Sequence, residues 1–458
     1  MQYANPLATF SQFSELPGSW ADWTQQLAQS ESLGGSTTIF VLAEQFAKAS
    51  GLSTEAATAL LLWLGSVCMI QHTQVYWPSG IWQPAGLVLS TVEEDGIQID
   101  TITSAFIQMA KNIGVDPIHD TVKEGPAGLI ARLESARHIP QRSTDQLKVE
   151  GLHALASIDT NNVELRETSN RGNVRALIYP SGRAFLSYLY DTPFFNAIDE
   201  LTQYGSLNIR GKHDIHHLNN VHLSMFVGFY QGALVTLTND TRVQNNMLSL
   251  MRQMLVFWPT SGTRRFTRVG QIDVALHRVQ QVAMHGVEAL QELSTGALMI
   301  PDYLDRATES YVHPGVGVRY TILNRQQRIA RIAVAVAFWR IASGGGFEIE
   351  KSDLAVADAI LHLHEMGGRL MELSMSKGKL GHEFMRIFVA LLQGEDVQPG
   401  EELSHASELN IGATALGRLG EMSVLTDEHK LFDEYRYVTG NTIRAHKKRW
   451  ELNEKGIS

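Results

Sequence analysis

The chain has 458 residues, a net charge of −10 at neutral pH, and 44% hydrophobic and 19% charged residues. This composition is typical of a globular protein with two or three domains and excludes long disordered segments. The acidic balance excludes a generally basic nucleic-acid coat, so any nucleic-acid contact must come from a local patch. The single cysteine, Cys68, excludes an intramolecular disulfide and a multi-cysteine metal site, and it fits a reducing cytoplasm.

The first predicted unit is a helical region over residues 1–72. Paired helices are expected at 36–49 and 53–71. Ser53 has the side chain of an N-cap for the second helix, and Gly51 is placed to end the first.

Two features of this region predict a cytoplasmic protein without membrane contact. Residues 1–5 show no basic segment followed by an apolar stretch, so we expect no signal peptide. The longest apolar run, residues 56–70, is too short to span a bilayer and predicts a buried helix instead.

Short apolar runs alternate with helical patterns between residues 73 and 270. This alternation predicts an α/β fold with a mainly parallel sheet flanked by helices. A helix is expected from about Asp100 to Asn112, after the second strand. The predicted strands are 74–77, 86–91, 174–179, 221–227 and 254–258.

From residue 271 onward the hydrophobic period becomes helical, as in Ile329, Ile332 and Val336. We therefore predict an all-α region over 271–378.

Several short motifs follow one another along residues 50–375. They are Leu60-Leu61-Leu62-Trp63, Trp82-Gln83-Pro84, Leu87-Val88-Leu89, Asn170-Arg171-Gly172, Leu223-Ser224-Met225-Phe226, Val256-Phe257-Trp258-Pro259 and Arg328-Ile329-Ala330. In this order they resemble a family of prophage and mobile-element P-loop proteins related to primase-associated helicases. The resemblance implies a P-loop-like sheet and a role in DNA transactions.

The chain departs from that family where nucleotide chemistry would take place. In place of a Gly-rich loop ending in Gly-Lys-Ser/Thr it carries Val92-Glu93-Glu94-Asp95-Gly96, whose carboxylates repel a triphosphate. In place of the acidic pair that holds Mg²⁺ it carries Pro180-Ser181-Gly182. Phosphoryl transfer needs both parts. We therefore predict no ATP hydrolysis, no cofactor and no catalytic residue.

A histidine cluster leaves a second hypothesis open. His213, His216, His217 and His222 have spacings that bind a transition metal if a carboxylate completes the set. The protein would then be a metal-dependent enzyme. The simpler interpretation is a polar surface loop in a chain with 17 histidines, and no metal site is predicted.

Arginines form two clusters. Arg325, Arg328 and Arg331 lie three residues apart and so share one stripe of a helix. The second cluster is Arg264, Arg265 and Arg268. Each cluster either holds nucleic-acid phosphates or forms ion pairs with some of the 48 acidic residues, and we assign the second cluster to a nucleic-acid surface.

The last unit, residues 379–458, has the order of elements of a winged helix-turn-helix. Three helices precede a basic hairpin at 447–456, and six Lys or Arg stand against two Glu from Arg436 onward. The alternatives are a winged helix used for protein contacts or a small helical cap. The predicted nucleic-acid contacts here are Arg418, Arg436, Arg444, Lys447, Lys448 and Arg449.

Together these patterns predict a non-catalytic, P-loop-like protein that binds DNA or acts as a scaffold in a mobile element or prophage. Its expected partners are DNA and either other protein subunits or further copies of itself. One alternative is a protein-interaction subunit of a larger defence or replication complex without DNA binding of its own. The other is the metal-dependent enzyme.

Overall fold

The computed structural model describes part of the chain. The described residues are 31–78, 82–93, 99–119, 133, 174–179, 185, 192–210, 215–218, 220–230, 254–258, 269–292, 297–301, 311–312, 321–322, 325–361 and 364. The predicted winged helix at 379–458 lies outside them, as does every residue assigned above to nucleic-acid binding.

The helices follow a 3-10 segment at Glu31–Thr37. In chain order they are α1 (Thr38–Ser50), α2 (Thr54–His72), α3 (Ile99–Asn112), α4 (Thr192–Tyr204), α5 (Val269–Glu292), α6 (Arg325–Ala342) and α7 (351–361). The strands are β1 (Gln74–Tyr76), β2 (Val88–Glu93), β3 (Ile118–His119), β4 (Val174–Tyr179), β5 (Leu207–Arg210), β6 (Ile215–Leu218), β7 (His222–Tyr230), β8 (Met254–Phe257), β9 (Ala297–Met299), β10 (Tyr311–Val312) and β11 (Thr321–Ile322).

Five parallel strands form the central sheet in the order β3-β4-β7-β2-β8. The predicted mainly parallel sheet is confirmed, and four of its five predicted strands, β4, β7, β2 and β8, lie side by side in it. All residues of β2, β4 and β8 are buried. Burial on both faces is characteristic of parallel sheets covered by helices, and it explains why these strands appear in the sequence as continuous apolar runs.

Helix α2 lies between this sheet and α6. Ser53 caps it by accepting a hydrogen bond from the Ala56 N–H at 3.1 Å, as predicted. Trp63 donates to the Ser224 carbonyl of β7 at 3.3 Å, while Trp339 of α6 donates to the Leu61 carbonyl at 3.0 Å. A Cβ on Gly65 would lie 2.7 Å from the Ala335 carbonyl oxygen, so the two helices approach as closely as only glycine allows.

Helix α2 is long and apolar enough to cross a membrane, and it is the one such helix in the described part of the chain. It is nevertheless completely buried inside the protein. Its apolar composition is thus that of a central core helix, as the sequence predicted.

Two predictions about the strands need correction. Strand β1 does not join the central sheet but pairs in parallel with β9. Region 271–378 is not all-α, because β9, β10 and β11 interrupt its helices. In β9 only Leu298 is buried, between exposed Ala297 and Met299. A strand of three residues is too short for its alternation of buried and exposed residues to be recognised in a sequence whose neighbouring segments have a helical period.

The predicted boundaries at 72/73 and 270/271 fall within one hydrophobic core. Buried residues from Leu33 to Leu361 form a single cluster that includes α1, α2, the sheet, α5 and α6.

Candidate functional site

The carboxyl edge of the sheet, where its strands end, is the usual position of a nucleotide in an open parallel α/β fold. Strand β2 ends at Glu93, residues 94–98 follow, and α3 begins at Ile99. This strand–loop–helix unit lies inside the sheet, between β7 and β8. The backbone N–H groups at the start of such a helix are a ready-made anion site.

Tyr230 occupies that site. It is the last residue of β7, the strand beside β2. Its phenol lies close enough to the backbone N–H groups of Ile99 and Asp100, and to the Asp100 carboxylate, for each of them to act on the pKa of Tyr230. Burial raises the pKa of Tyr230, and the Asp100 charge raises that pKa further. The N-terminus of α3 is therefore occupied by a protein oxygen.

Glu93 has a role that the sequence did not reveal. It is fully buried and accepts hydrogen bonds from the Ser53 hydroxyl and, at 3.3 Å, the Ser53 N–H. Its carboxylate thus lies at the N-terminus of α2, where a negative charge is stabilised by the helix dipole. We predicted Glu93 to repel a phosphate; it instead holds α2 to the end of β2. Glu94 and Asp95 lie outside the described residues.

The amino edge of the sheet, where the strands begin, contains a partly open cavity of about 30 Å³. Its walls are formed by the start of β2, by Leu255 of β8, by Gln203 of α4 and by α6. From α6 come Gln327, Arg328 and Arg331. A Cβ on Gly86 would lie 2.2 Å from the Leu223 carbonyl oxygen, so only glycine lets the chain enter β2 beside this cavity.

The arginine stripe of α6 thus faces the interior. Arg328 is buried, and its Nη1 lies 2.7 Å from His364 Nε2. Arg331 is mostly buried and donates to the Thr202 carbonyl of α4 at 3.2 Å. Both were predicted on one helix face, but the side chain of Arg325 is not among those described. The inward direction follows from the apolar residues all around α6, a signal that the spacing of the arginines alone does not carry.

Two buried histidines support this edge. His222 Nδ1 accepts from the Ala85 N–H at 2.9 Å, and His364 Nδ1 accepts from the Val256 N–H at 2.7 Å. Burial and nearby Arg331 lower the pKa of His222 to about 3. Burial and nearby Arg328 lower the pKa of His364 well below its usual value. Both rings are therefore neutral at physiological pH.

The histidine cluster is separated in the fold. His222 lies in the central sheet, whereas His216 and His217 lie on β6, which pairs with β5 in a separate hairpin. His213 is outside the described residues. Within the described ranges, no three His, Cys, Asp or Glu side chains form a group that could hold a metal.

Cys68 is buried in α2, and burial raises the pKa of its thiol. A buried thiol with a raised pKa is unreactive, because the thiolate is the reactive form. No family model matches the chain, and no curated protein is similar to it.

Proposed function

We propose that the protein is a non-catalytic, P-loop-like scaffold acting in DNA transactions of a mobile element or prophage. The observation that carries this proposal is the position of the Tyr230 phenol at the N-terminus of α3. In a phosphate-binding protein the N–H groups at this helix end face the ligand. Here a side chain of the protein itself lies beside them.

The sheet supports the same proposal. Strand β2 is the first of the five in chain order and lies inside the sheet. The chain runs from β2 to β3 at one edge of the sheet, and later crosses from β7 to β8 at the other edge, so these two connections run in opposite directions. Such a switch point is where nucleotides bind in open α/β sheets. Asp100, in the first turn of α3, carries a carboxylate, which repels phosphates.

DNA contact is assigned to the C-terminal unit. The basic residues of its proposed wing stand out in an otherwise acidic chain, and phosphate contacts require such a local patch. If residues 447–450 form the predicted strand, alternation would place Lys447 and Arg449 on one face and Lys448 and Trp450 on the other. The core would then carry the DNA-binding unit without turning over nucleotide.

The first test is ATP turnover. We expect no hydrolysis above background with or without DNA, both in the wild type and in Tyr230→Ala, because removing the phenol restores neither a lysine nor a metal-holding carboxylate. A phosphate-release assay measures this. Turnover that disappears when residues 90–97 are changed would contradict the proposal.

The second test is DNA affinity at two salt concentrations. Lys447→Ala/Arg449→Ala should weaken binding equally across sequences and reduce the salt slope by about two, about one for each phosphate contact. Thermal stability should not change, since exposed charges contribute little to folding. Lys48→Ala/Lys111→Ala removes the same charge from α1 and α3 and should leave binding intact. Unchanged binding in the first variant would favour the protein-interaction subunit.

A further inference from the structure

One donor at the amino-edge cavity lacks an acceptor. Arg331 Nε is enclosed and makes no hydrogen bond within the described part of the chain. An additional acceptor is needed here.

The charge of Arg331 is also uncompensated. No carboxylate forms an ion pair with it among the residues that the structure describes. Its hydrogen bond to the Thr202 carbonyl lies in the last turn of α4, where the helix dipole favours a cation, but this carbonyl carries no net charge. Burial and repulsion by Arg328 lower the pKa of Arg331 to about 10. A buried cation without a counter-ion is costly.

The same helix shows how this protein neutralises an arginine for purely structural ends. Arg340, also buried, forms a two-pronged contact with Asp353, with Nε at 2.9 Å from Oδ1 and Nη2 at 2.8 Å from Oδ2. Its Nη1 also donates to Glu350 at 2.7 Å. Arg331 has no such partner in the described residues, so its charge points to a ligand.

We propose that the amino-edge cavity is a binding site for a compact oxyanion of the phosphate or sulfate class. A tetrahedral oxyanion accepts hydrogen bonds from several directions at once, and the donors here come from α6 and from the amide of Gln203. A cavity of about 30 Å³ exceeds the roughly 10–15 Å³ that one water needs, and it accommodates a group of a few atoms. This site goes beyond the proposed function, because it lies at the opposite edge of the sheet from the nucleotide position.

The test is calorimetric titration of the full chain with sodium phosphate in phosphate- and sulfate-free buffer, with sodium chloride at matched ionic strength as the reference. Arg331→Met should bind phosphate at least about tenfold more weakly, since charge-assisted hydrogen bonds are lost. Arg331→Lys should be intermediate because it keeps the charge but not the planar donors. Arg278→Met, an exposed site on α5, is the matched control and should bind as the wild type does.

A second titration identifies the source of the oxyanion. An oligonucleotide with a 5′-phosphate is compared with the same strand without it, in the wild type and in Arg331→Met. A gain from the 5′-phosphate that Arg331→Met abolishes assigns the site to strand ends; binding of inorganic phosphate alone assigns it to the free ion. Equal phosphate affinity in the wild type, Arg331→Met and Arg331→Lys, or no binding by the folded wild type, overturns the proposal.

Discussion

The two ends of helix α6 bury arginines in opposite ways. Toward its C-terminus, Arg340 is enclosed by the carboxylates of Asp353 and Glu350 and by the Gly346 carbonyl. Toward its N-terminus, Arg328 and Arg331 face histidine, glutamine and carbonyl groups around a cavity. The first arrangement is a completed ion pair that connects α6 to α7. In the second, Arg331 forms no ion pair with a carboxylate among the described residues, so burial of an arginine does not by itself distinguish a structural role from a binding role.

The largest expected effect is at Arg340. Arg340→Met leaves Asp353 as a buried carboxylate without its cation, and breaking such a pair costs about 3–5 kcal/mol. Denaturant unfolding monitored by circular dichroism measures the change in the free energy of unfolding. Arg278→Met is the exposed control and should change it by less than about 0.5 kcal/mol. A loss at Arg340 as small as at Arg278 would contradict the contrast between the two ends of α6.

The next effect is on pH dependence. His222 and His364 have lowered pKa values in the folded state, so the unfolded chain binds more protons as the pH falls. Their contribution to stability is complete above the unfolded pKa of about 6.5 and is lost as the pH falls towards their folded values. Between pH 7.5 and 5.5 we expect a loss of about 1.4 kcal/mol for each histidine.

Denaturant unfolding at the two pH values checks this expectation. His222→Asn should reduce this loss by the contribution of one histidine, about half of the total expected for the two. An identical pH dependence in the wild type and His222→Asn would show that His222 is protonated in the fold.

The smallest effect is expected at Arg331. In phosphate-free buffer, Arg331→Met should leave the free energy of unfolding within about 1 kcal/mol of the wild type or raise it, because it removes a buried charge without orphaning a carboxylate. The same unfolding assay applies. A loss as large as that of Arg340→Met would show that Arg331 has a structural partner.

Much of the core could be predicted from the sequence. Strands β2, β4, β7 and β8 are apolar runs of the right length, and a parallel sheet covered on both faces needs such runs. The ends of α1 and α2 followed from Gly51, which has φ of 78°, and from the Ser53 cap. Strand β9 was missed because its three residues pair with β1, which lies far away in the chain. Pairing at a distance leaves no local period.

The sequence by itself determined that the phosphate-loop position lacks a Gly-rich loop and a lysine, since this depends only on which residues are present. Only the tertiary structure decided where the remaining charges act. Glu93 lies at the N-terminus of α2 and Tyr230 at that of α3 because strand ends and helix starts from distant segments meet at the same edge of the sheet. Arg331 faces a cavity because α6 is buried on all sides. The three-residue spacing of the arginines predicts that they share a helix face, but it does not predict what that face contacts.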